Sequence, residues 1–168
     1  MAAAEVSVRA AVPSDVDFIV ASIRALAEYE RLSHECAPDA ERLSAHLFGQ
    51  PRYAEAIIAE VGGAAVGYAL FFHSYSTFLA RPGIFLEDLF VHPDARGCGA
   101  GKALLDALVR LAKERGYGRV EWSVLDWNEP AIRFYRSLGA KPQDEWTIYR
   151  VADESLTDWP TQRPRKRG

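Results

Sequence analysis

The sequence predicts a mixed α/β domain, and three observations lead to this class. Runs of alternating apolar and polar residues, typical of strands, are interspersed with runs whose apolar residues recur at helical spacing. Near the middle, the stretch RGCGAG from Arg96 to Gly101 lies between a strongly apolar run and an amphipathic one, which is the pattern of a strand, a turn and a helix. The 168 residues, of which 49% are hydrophobic, are enough for one domain with its own core. We expect that domain to span residues 1–151, followed by a C-terminal extension, residues 152–168, with a basic and disordered end.

The first half of the chain is predicted to form a strand, two helices and a hairpin. Pro13-Ser14-Asp15 precedes a run of helical spacing and is typical of a helix start. Gly62-Gly63 separates two strand-like runs and is typical of a hairpin turn. The stretch Ser74–Gly83 is predicted as a loop. The predicted bounds are 6–9, 53–61 and 64–72 for the strands and 14–29 and 38–49 for the helices.

The second half is predicted to form a strand, a helix, a strand, a helix and a last strand. The run Ile84–Val91 is rich in large apolar residues, as in a central strand, and His92-Pro93-Asp94 ends it. Helical spacing follows the glycine-rich stretch as far as Gly116. Pro130 and Gly139 are typical of the start and the end of a shorter helix. The remaining strands are predicted over 119–125 and 146–151.

Composition and charge argue against several classes of protein. The formal net charge of −3 gives no overall attraction to nucleic acid. No apolar run is long enough to cross a membrane, and the N-terminus lacks the pattern of a secretory signal. Cys36 and Cys98 are too few for a disulfide scaffold and lack the spacing of a metal site. We therefore expect a cytoplasmic protein that binds no metal, nucleic acid or membrane.

The glycine-rich stretch is a candidate phosphate site, and its spacing narrows the choice. A P-loop requires GxxxxGK followed by Ser or Thr, but Lys102 is followed by Ala103, and Arg96 stands where the first glycine is needed. A dinucleotide fingerprint requires GxGxxG, and neither Gly97 nor Gly99 starts one. Two interpretations remain. Either the backbone N–H groups of the turn point at one anion in front of a helix, which suits a pyrophosphate without metal, or the turn is tight and binds nothing.

The stretch RGCGAG resembles the Q/R-x-x-G-x-G/A signature of the GCN5-related N-acetyltransferases (GNAT), which bind the pyrophosphate of acetyl-CoA. WNEPAIRFYRSLGA, from Trp127 to Ala140, resembles a second segment of the same superfamily. LAEYE from Leu26, FLEDLFV from Phe85 and DEW from Asp144 are similar to the diamine branch, which includes spermidine/spermine and thialysine acetyltransferases. The resemblance extends to about Val151. It implies the acyl-CoA N-acyltransferase fold, a mixed and mostly antiparallel central sheet whose central strands splay apart and which helices flank.

The resemblance implies that acetyl-CoA is the acetyl donor and lies in the gap between the splayed strands. The strand before the glycine-rich stretch would pair with it as with an extra strand, and an N–H group near Leu89 would polarise the thioester carbonyl. Asn128 would hold the pantetheine arm, cap the following helix, or do both. Lys102 either lies near the phosphates or is solvated. The residues implied in donor binding are Leu89, Phe90, Val91, Arg96, Gly97, Cys98, Gly99, Ala100, Gly101, Lys102, Asn128, Glu129, Pro130 and Ala131.

The family motifs also imply the catalytic groups. Tyr135 occupies the position of the proton donor to the leaving thiolate, although without the motif it would be interpreted as a core aromatic residue. Glu87 is the substrate-side carboxylate, which acts through water or holds the amine, and Asp88 is a second candidate or a structural residue. Because neighbouring residues of a regular strand point to opposite sides, at most one of the two is expected to face the cleft.

An acceptor with several amines requires several carboxylates beside aromatic side chains. The acceptor residues implied by the resemblance are Tyr29, Glu30, Glu87, Asp88 and Glu145. A lysine analogue or another amino acid is the alternative acceptor, with Arg31, Arg81 or Arg133 binding its carboxylate. The leading function is acetyl transfer to a small primary amine by direct attack in a ternary complex. An inactive CoA-binding sensor and a protein-amine acetyltransferase are the alternatives. Members of this branch are typically homodimers that pack or exchange their C-terminal strand, here 146–151.

Overall fold

The computed structural model describes residues 5–159, which divide into two units. The first unit ends at Leu125 and the second begins at Asp126. The single domain expected over residues 1–151 stays a prediction, and the basic C-terminal end lies outside the described residues.

Among the described residues, the first unit combines five strands with three helices in the order that the sequence predicts. Its strands are β1 (Val6–Ala10), β2 (Glu55–Val61), β3 (Ala64–Ser76), β4 (Arg81–Val91) and β5 (Val120–Trp122), and its helices are α1 (Val16–Tyr29), α2 (Ala40–Phe48) and α3 (Ala100–Glu114). The second unit contains α4 (Glu129–Ser137), which the sequence predicts, and α5 (Asp153–Thr157), which it does not.

The strands form one sheet in the order β1-β2-β3-β4-β5. The pairs from β1 to β4 are antiparallel, and β4 and β5 are parallel. A parallel pair requires a crossover connection, and α3 provides it. The structure therefore confirms the mixed, mostly antiparallel sheet that the resemblance implies.

Different helices cover the two faces of the sheet. On one face, Ile19 of α1 and Leu47 of α2 join Tyr68 of β3 in a buried cluster. On the other face, α3 packs against β1 to β4, and its Leu104 and Leu108 are fully buried. Each such leucine stabilises the fold by about 1.5–3 kcal/mol through its removal from water. The burial of β4 and α3 fixes the two elements between which the glycine-rich stretch lies.

A polar cluster ties the C-terminal end of α3 to the sheet. Arg115 donates hydrogen bonds of 2.6 and 2.7 Å to the two carboxylate oxygens of Glu55 at the start of β2. His73 of β3 lies 3.2 Å from Oε1 of Glu55 through Nε2, and 2.8 Å from the hydroxyl of Tyr117 through Nδ1. The bound guanidinium holds the pKa of Glu55 below its usual range. The cluster therefore fixes the end of α3 that lies away from the glycine-rich stretch.

β4 and β5 separate partway along β4. Residues Ile84–Leu86 pair with Val120–Trp122 of β5. From Glu87 to Val91, β4 continues without a β5 partner in the described chain. The separation confirms the predicted splay and leaves one edge of β4 open over its last residues.

A β-bulge lies at the point where β4 and β5 separate. On the β3 side of β4, Leu70 is opposite Asp88, whereas the next residue of β3, Phe71, is opposite Leu86. Glu87 is therefore an extra residue that has no counterpart on β3. The expectation that Glu87 and Asp88 point to opposite sides assumes a regular strand, and the bulge removes that assumption.

Two predicted elements differ from the observed structure. Ser74–Gly83, predicted as a loop, belongs largely to β3 and β4, whose turn is confined to residues 77–80. Ser76 is buried where a strand usually places an apolar side chain, so the alternation that indicates a strand is hidden. The segment 146–151, predicted as a strand, is not one, because no strand of the described residues pairs with its backbone.

Candidate active site

The glycine-rich stretch forms an open turn in front of α3. Gly97 and Gly99 have φ angles of 81° and 92°, in the left-handed region that glycine adopts without strain. Apart from each glycine and its two chain neighbours, no atom of the described chain lies within 4 Å of the position that a Cβ would take there, so a ligand can approach the backbone closely. α3 begins at the buried Ala100. Its first N–H groups have no carbonyl partner within the helix and are available to an anion.

Two cations stand at this turn, and each already has a partner. The Nε of Arg96 donates a hydrogen bond of 3.3 Å to the carbonyl oxygen of Val91, and its guanidinium carbon lies 5.1 Å from the ring centroid of Tyr29. The Nζ of Lys102 lies 2.6 Å from Oδ2 of Asp106, one turn further along α3. Arg96 therefore connects the predicted donor site with Tyr29 of the predicted acceptor site. Lys102 would have to leave Asp106 to reach a phosphate.

The open edge of β4 and the turn together fit an extended molecule that ends in a pyrophosphate. Leu89 and Val91 pair with Ala69 and Gly67 of β3 on one side, and they have no strand partner on the other within the described residues. A free strand edge can bind a linear chain through its backbone, as it would bind another strand. The predicted donor residues 89–91 and 96–102 thus follow one another closely along the first unit, from the open edge of β4 to the start of α3.

Near the bulge, a buried phenol meets a carboxylate. The hydroxyl of Tyr68 donates a hydrogen bond of 2.9 Å to Oδ2 of Asp88, and Tyr68 is 0% exposed. Burial raises the pKa of Asp88, while the hydrogen bond from Tyr68 lowers it and the charge of Glu87 raises it further. Burial, followed by the charge of Asp88, raises the pKa of Tyr68, so this phenol stays protonated and donates.

A second carboxylate approaches the same place from α1. Glu30 follows the last residue of α1, and its pKa is raised first by burial and then by the charge of Asp88. Two carboxylates that are partly removed from water and close enough to disturb each other are stabilised by a cation placed beside them. Glu30, Tyr68 and Asp88 are called the acidic cluster below. Its chemistry is that of a site for an ammonium group.

The structure brings some predicted acceptor residues together. Glu30, Glu87 and Asp88 lie at the acidic cluster, with Glu87 exposed on the bulge beside the other two. Glu145 lies in the second unit and is exposed. Tyr68 was missed by the sequence reasoning, which placed it in a strand without a role. The available signal was a tyrosine in a strongly apolar run, because a buried phenol usually has a hydrogen-bond partner.

The remaining predicted residues lie in the second unit. Oδ1 of Asn128 accepts a hydrogen bond of 3.4 Å from the N–H of Ala131, so Asn128 caps α4 as one of the two interpretations expects. Tyr135 lies on α4, half-buried, with its ring centroid 5.5 Å from that of Phe134. Glu129 and Pro130 are exposed in the first turn of α4. The roles of these residues in donor binding and proton transfer stay predictions.

The described part of the chain contains neither a group of metal ligands nor a membrane-spanning helix. Within it, no three His, Cys, Asp or Glu side chains are grouped so as to hold a metal ion. No helix in residues 5–159 has both the length and the apolar character that crossing a bilayer requires. The cytoplasmic location stays a prediction.

Three kinds of comparison relate the chain to known proteins. A family model described as the Acetyltransferase (GNAT) family matches residues 21–140. Thialysine N-epsilon-acetyltransferase of Bos taurus is 35% identical over 164 residues, which cover 91% of this chain and 96% of that protein. L-ornithine N5-acetyltransferase of Arabidopsis thaliana is 44% identical over 90 residues, which cover 54% of this chain and 40% of that protein. Among solved structures, an integron cassette protein from the mobile metagenome of V. cholerae has a TM-score of 0.77 at 23% identity, covering 94% of this chain and 98% of that one.

Proposed function

The chain belongs to the acetyltransferase (GNAT) family, and from this premise we propose that it transfers the acetyl group of acetyl-CoA to the primary amine of a small molecule. The observation that carries the proposal is the position of the acidic cluster. Asp88 immediately precedes Leu89, whose N–H group is the one expected to polarise the thioester carbonyl. A cation site and the open edge of β4 are therefore adjacent in the backbone.

Acetyl-CoA supplies an acetyl thioester, and the first unit offers groups to hold it. The open turn and the first N–H groups of α3 are suited to the pyrophosphate, with Arg96 adding a charge-assisted contact. The edge of β4 from Leu89 to Val91 is suited to the pantetheine arm. Asn128 to Ala131 are assigned to the same arm by their motif alone.

The base is assigned from the charges at the acidic cluster, and the acid is assigned from the family motif. Glu30 and Asp88 hold the acceptor as an ammonium ion, which must lose a proton before its nitrogen can attack. Glu87, exposed on the bulge, accepts that proton directly or through water. The N–H of Leu89 stabilises negative charge on the carbonyl oxygen. Tyr135 donates a proton to the leaving thiolate, which is the role that its motif implies.

The acceptor is proposed to carry its amine at the end of a flexible chain. The names of both curated relatives describe acetylation of the side-chain nitrogen of an amino acid. A lysine analogue and ornithine therefore stand beside the polyamines as candidates. The acidic cluster suits all of them, because each presents an ammonium group on an apolar stem.

Thiol release from acetyl-CoA tests the proposal against a panel of amines. The panel contains spermidine, spermine, putrescine, lysine, thialysine, ornithine and a basic peptide. We expect turnover with at least one small amine and slower turnover with the peptide. Turnover restricted to the peptide would contradict a small-molecule acceptor, and no turnover despite binding of acetyl-CoA would contradict the proposed transfer.

The role of Tyr135 is tested by removing its hydroxyl. Tyr135→Phe is expected to lower kcat by roughly a hundredfold, the lower range for loss of a general acid, while acetyl-CoA still binds. Tyr75→Phe is the matched control, because Tyr75 is 62% exposed and belongs to none of the proposed sites. Its kcat is expected to stay unchanged. Equal kcat for the wild type and Tyr135→Phe would remove Tyr135 as the acid.

The segment 146–151 is proposed to pair with a second copy of the chain. Its Trp146, Ile148 and Tyr149 are 76%, 72% and 92% exposed, although aromatic and β-branched residues of this kind favour a strand. A homodimer would give this backbone the partner that it lacks among the described residues. Light scattering after size exclusion is expected to give the mass of two chains, and Ile148→Asp is expected to reduce it towards one. A wild-type mass of one chain would contradict the dimer.

A further inference from the structure

Tyr68 is a polar residue in an otherwise apolar part of the core. Its ring packs in the cluster formed by the side chains of Ile19, Leu47, Ile58, Leu70 and Phe90. A phenylalanine would fill the same volume without bringing a hydroxyl group that needs a partner. The hydroxyl has one, because it donates to Oδ2 of Asp88 at 2.9 Å. The special contribution of Tyr68 is therefore its hydrogen bond rather than its bulk.

Resting on the proposed function, we infer that Tyr68 is a positioning residue for the acceptor site: its hydroxyl fixes one oxygen of Asp88 at the bulge so that the carboxylate is presented, ionised, to the ammonium group of the acceptor. Tyr68 does not touch the acceptor in this account. It acts through Asp88, from the strand on the opposite side of β4 from the open edge.

The bulge explains why such a residue is needed. Glu87 is an extra residue on β4, so the backbone around Asp88 departs from the regular pleat that would otherwise set the direction of its side chain. The hydrogen bond joins Asp88 to the most buried part of β3 and thereby fixes the direction of the Asp88 side chain. Tyr68 is opposite Phe90, and Asp88 is opposite Leu70, so the bond runs diagonally between pairs that are two positions apart.

Tyr68 is also expected to influence the ionisation of Asp88, because other titratable groups surround this carboxylate. Glu30 reaches it from the end of α1, Glu87 precedes it on β4, and Cys36, in the connection between α1 and α2, interacts electrostatically with Tyr68. In this setting burial and the charge of Glu87 favour the protonated carboxyl group. The hydrogen bond from Tyr68 opposes both, because it stabilises the carboxylate form. Loss of the hydroxyl would therefore move protonation of Asp88 to higher pH.

The experiment measures kcat/KM of the full chain for its best amine between pH 5 and 9. For Tyr68→Phe we expect the acidic limb to move upward by about one pH unit, the shift that corresponds to one hydrogen bond to a charged group. Tyr75→Phe is the matched control on the same strand, since Tyr75 is 62% exposed, and its profile is expected to coincide with the wild type. A Tyr68→Phe profile that coincides with the wild type overturns the inference. A wild type that acetylates no amine overturns the proposed function instead.

A double-variant comparison separates positioning from a general loss of stability. If Tyr68 acts through Asp88, then Tyr68→Phe should have no further effect on the affinity for the amine, measured by calorimetry, once Asp88→Asn is present. Additive losses would overturn the inference. If Tyr68→Phe does not fold, 3-fluorotyrosine at position 68 preserves the shape and makes the phenol a stronger donor. The acidic limb is then expected to move to lower pH, and no movement would count against the role of Tyr68.

Discussion

The glycine-rich turn and the acidic cluster lie in the same unit, but they are built in opposite ways. The turn consists of consecutive residues whose backbone is exposed, and it offers N–H groups that do not titrate. The acidic cluster takes single side chains from the end of α1, from β3 and from β4, removes them wholly or partly from water, and offers carboxylates whose charge depends on pH. The donor site is therefore sensitive to anything that fills space near the backbone. The acceptor site is sensitive to the ionisation of each member.

The largest expected effect comes from filling the turn. Gly99→Glu places a bulky anion where a phosphate would bind, at a φ of 92° that also strains the backbone. We expect the affinity for acetyl-CoA, measured by calorimetry, to fall on the order of a hundredfold or more. Gly63→Glu is the control for strain, because Gly63 has a φ of 81° and similar open space in the β2–β3 turn. Normal binding by Gly99→Glu would show that the turn does not hold the donor.

The next effect concerns the acceptor and leaves the donor untouched. Glu30→Gln removes one carboxylate from the acidic cluster, so the KM for the amine should rise about tenfold, as for the loss of one charge-assisted hydrogen bond. Glu28→Gln is the matched control, because Glu28 is exposed on the same helix. Steady-state kinetics with both variants decides the point. Equal KM values for the two variants would exclude Glu30 from the acceptor site.

These two predictions also show what the sequence can and cannot reveal. The glycine-rich turn was predictable because its residues are contiguous and its chemistry is in the backbone. The bond between Tyr68 and Asp88 was not, because its members lie on different strands and meet only after the register shift at Glu87. Hydrophobic periodicity predicts which residues face a core, but not where one extra residue enters a strand.

The C-terminal part illustrates a different limit. The aromatic and β-branched residues of 146–151 favour a strand, yet a strand forms only when another backbone pairs with it. The described residues contain no such partner. Local sequence gives the tendency of a segment to be extended, and the partner has to be found elsewhere in the assembly.

A smaller effect is expected on stability, with opposite signs for two aspartates. Burial raises the pKa of Asp88 in the folded chain. An aspartate of the unfolded chain has a pKa of about 4, so ionisation of Asp88 destabilises the fold as the pH rises from about 4 through the raised pKa of the folded chain. Asp88→Asn should therefore raise Tm at pH 7 by a few degrees, because a gain of about 1 kcal/mol in the free energy of unfolding shifts Tm by that amount in a domain of this size. This gain should vanish at low pH. Calorimetric scans at the two pH values measure it. A lower Tm at pH 7 would contradict the account.

Asp15 provides the comparison. Hydrogen bonds from Arg9, of 2.7 and 2.9 Å, lower the pKa of Asp15, so its carboxylate stabilises the fold above the unfolded pKa and loses this contribution as pH falls through the folded pKa. Asp15→Asn should lower Tm at pH 7. Calorimetric scans of Asp15→Asn at the same two pH values measure this effect. An unchanged Tm would show that the ion pair with Arg9 contributes nothing measurable to stability.

The smallest effect is expected at the polar cluster that ends α3. Glu55→Gln weakens the contact with Arg115 and should lower the free energy of unfolding by up to about 1 kcal/mol, as for a partly exposed ion pair. Because this cluster lies at the opposite end of α3 from the turn, kcat/KM should not change. Denaturant titration measures the free energy of unfolding, and steady-state kinetics on the same preparation of Glu55→Gln measures kcat/KM. A large loss of activity would show that the end of α3 controls the site.

The most direct test of the central claim is a parallel measurement on Asp88→Asn. The first unit is proposed to carry a donor site formed by backbone N–H groups and an acceptor site formed by the acidic cluster. We predict that the affinity of Asp88→Asn for acetyl-CoA stays within about twofold of the wild type, while kcat/KM for the amine falls on the order of a hundredfold. A joint loss of both, or an unchanged kcat/KM, would contradict the separation of the two sites and the assignment of Asp88 to the acceptor.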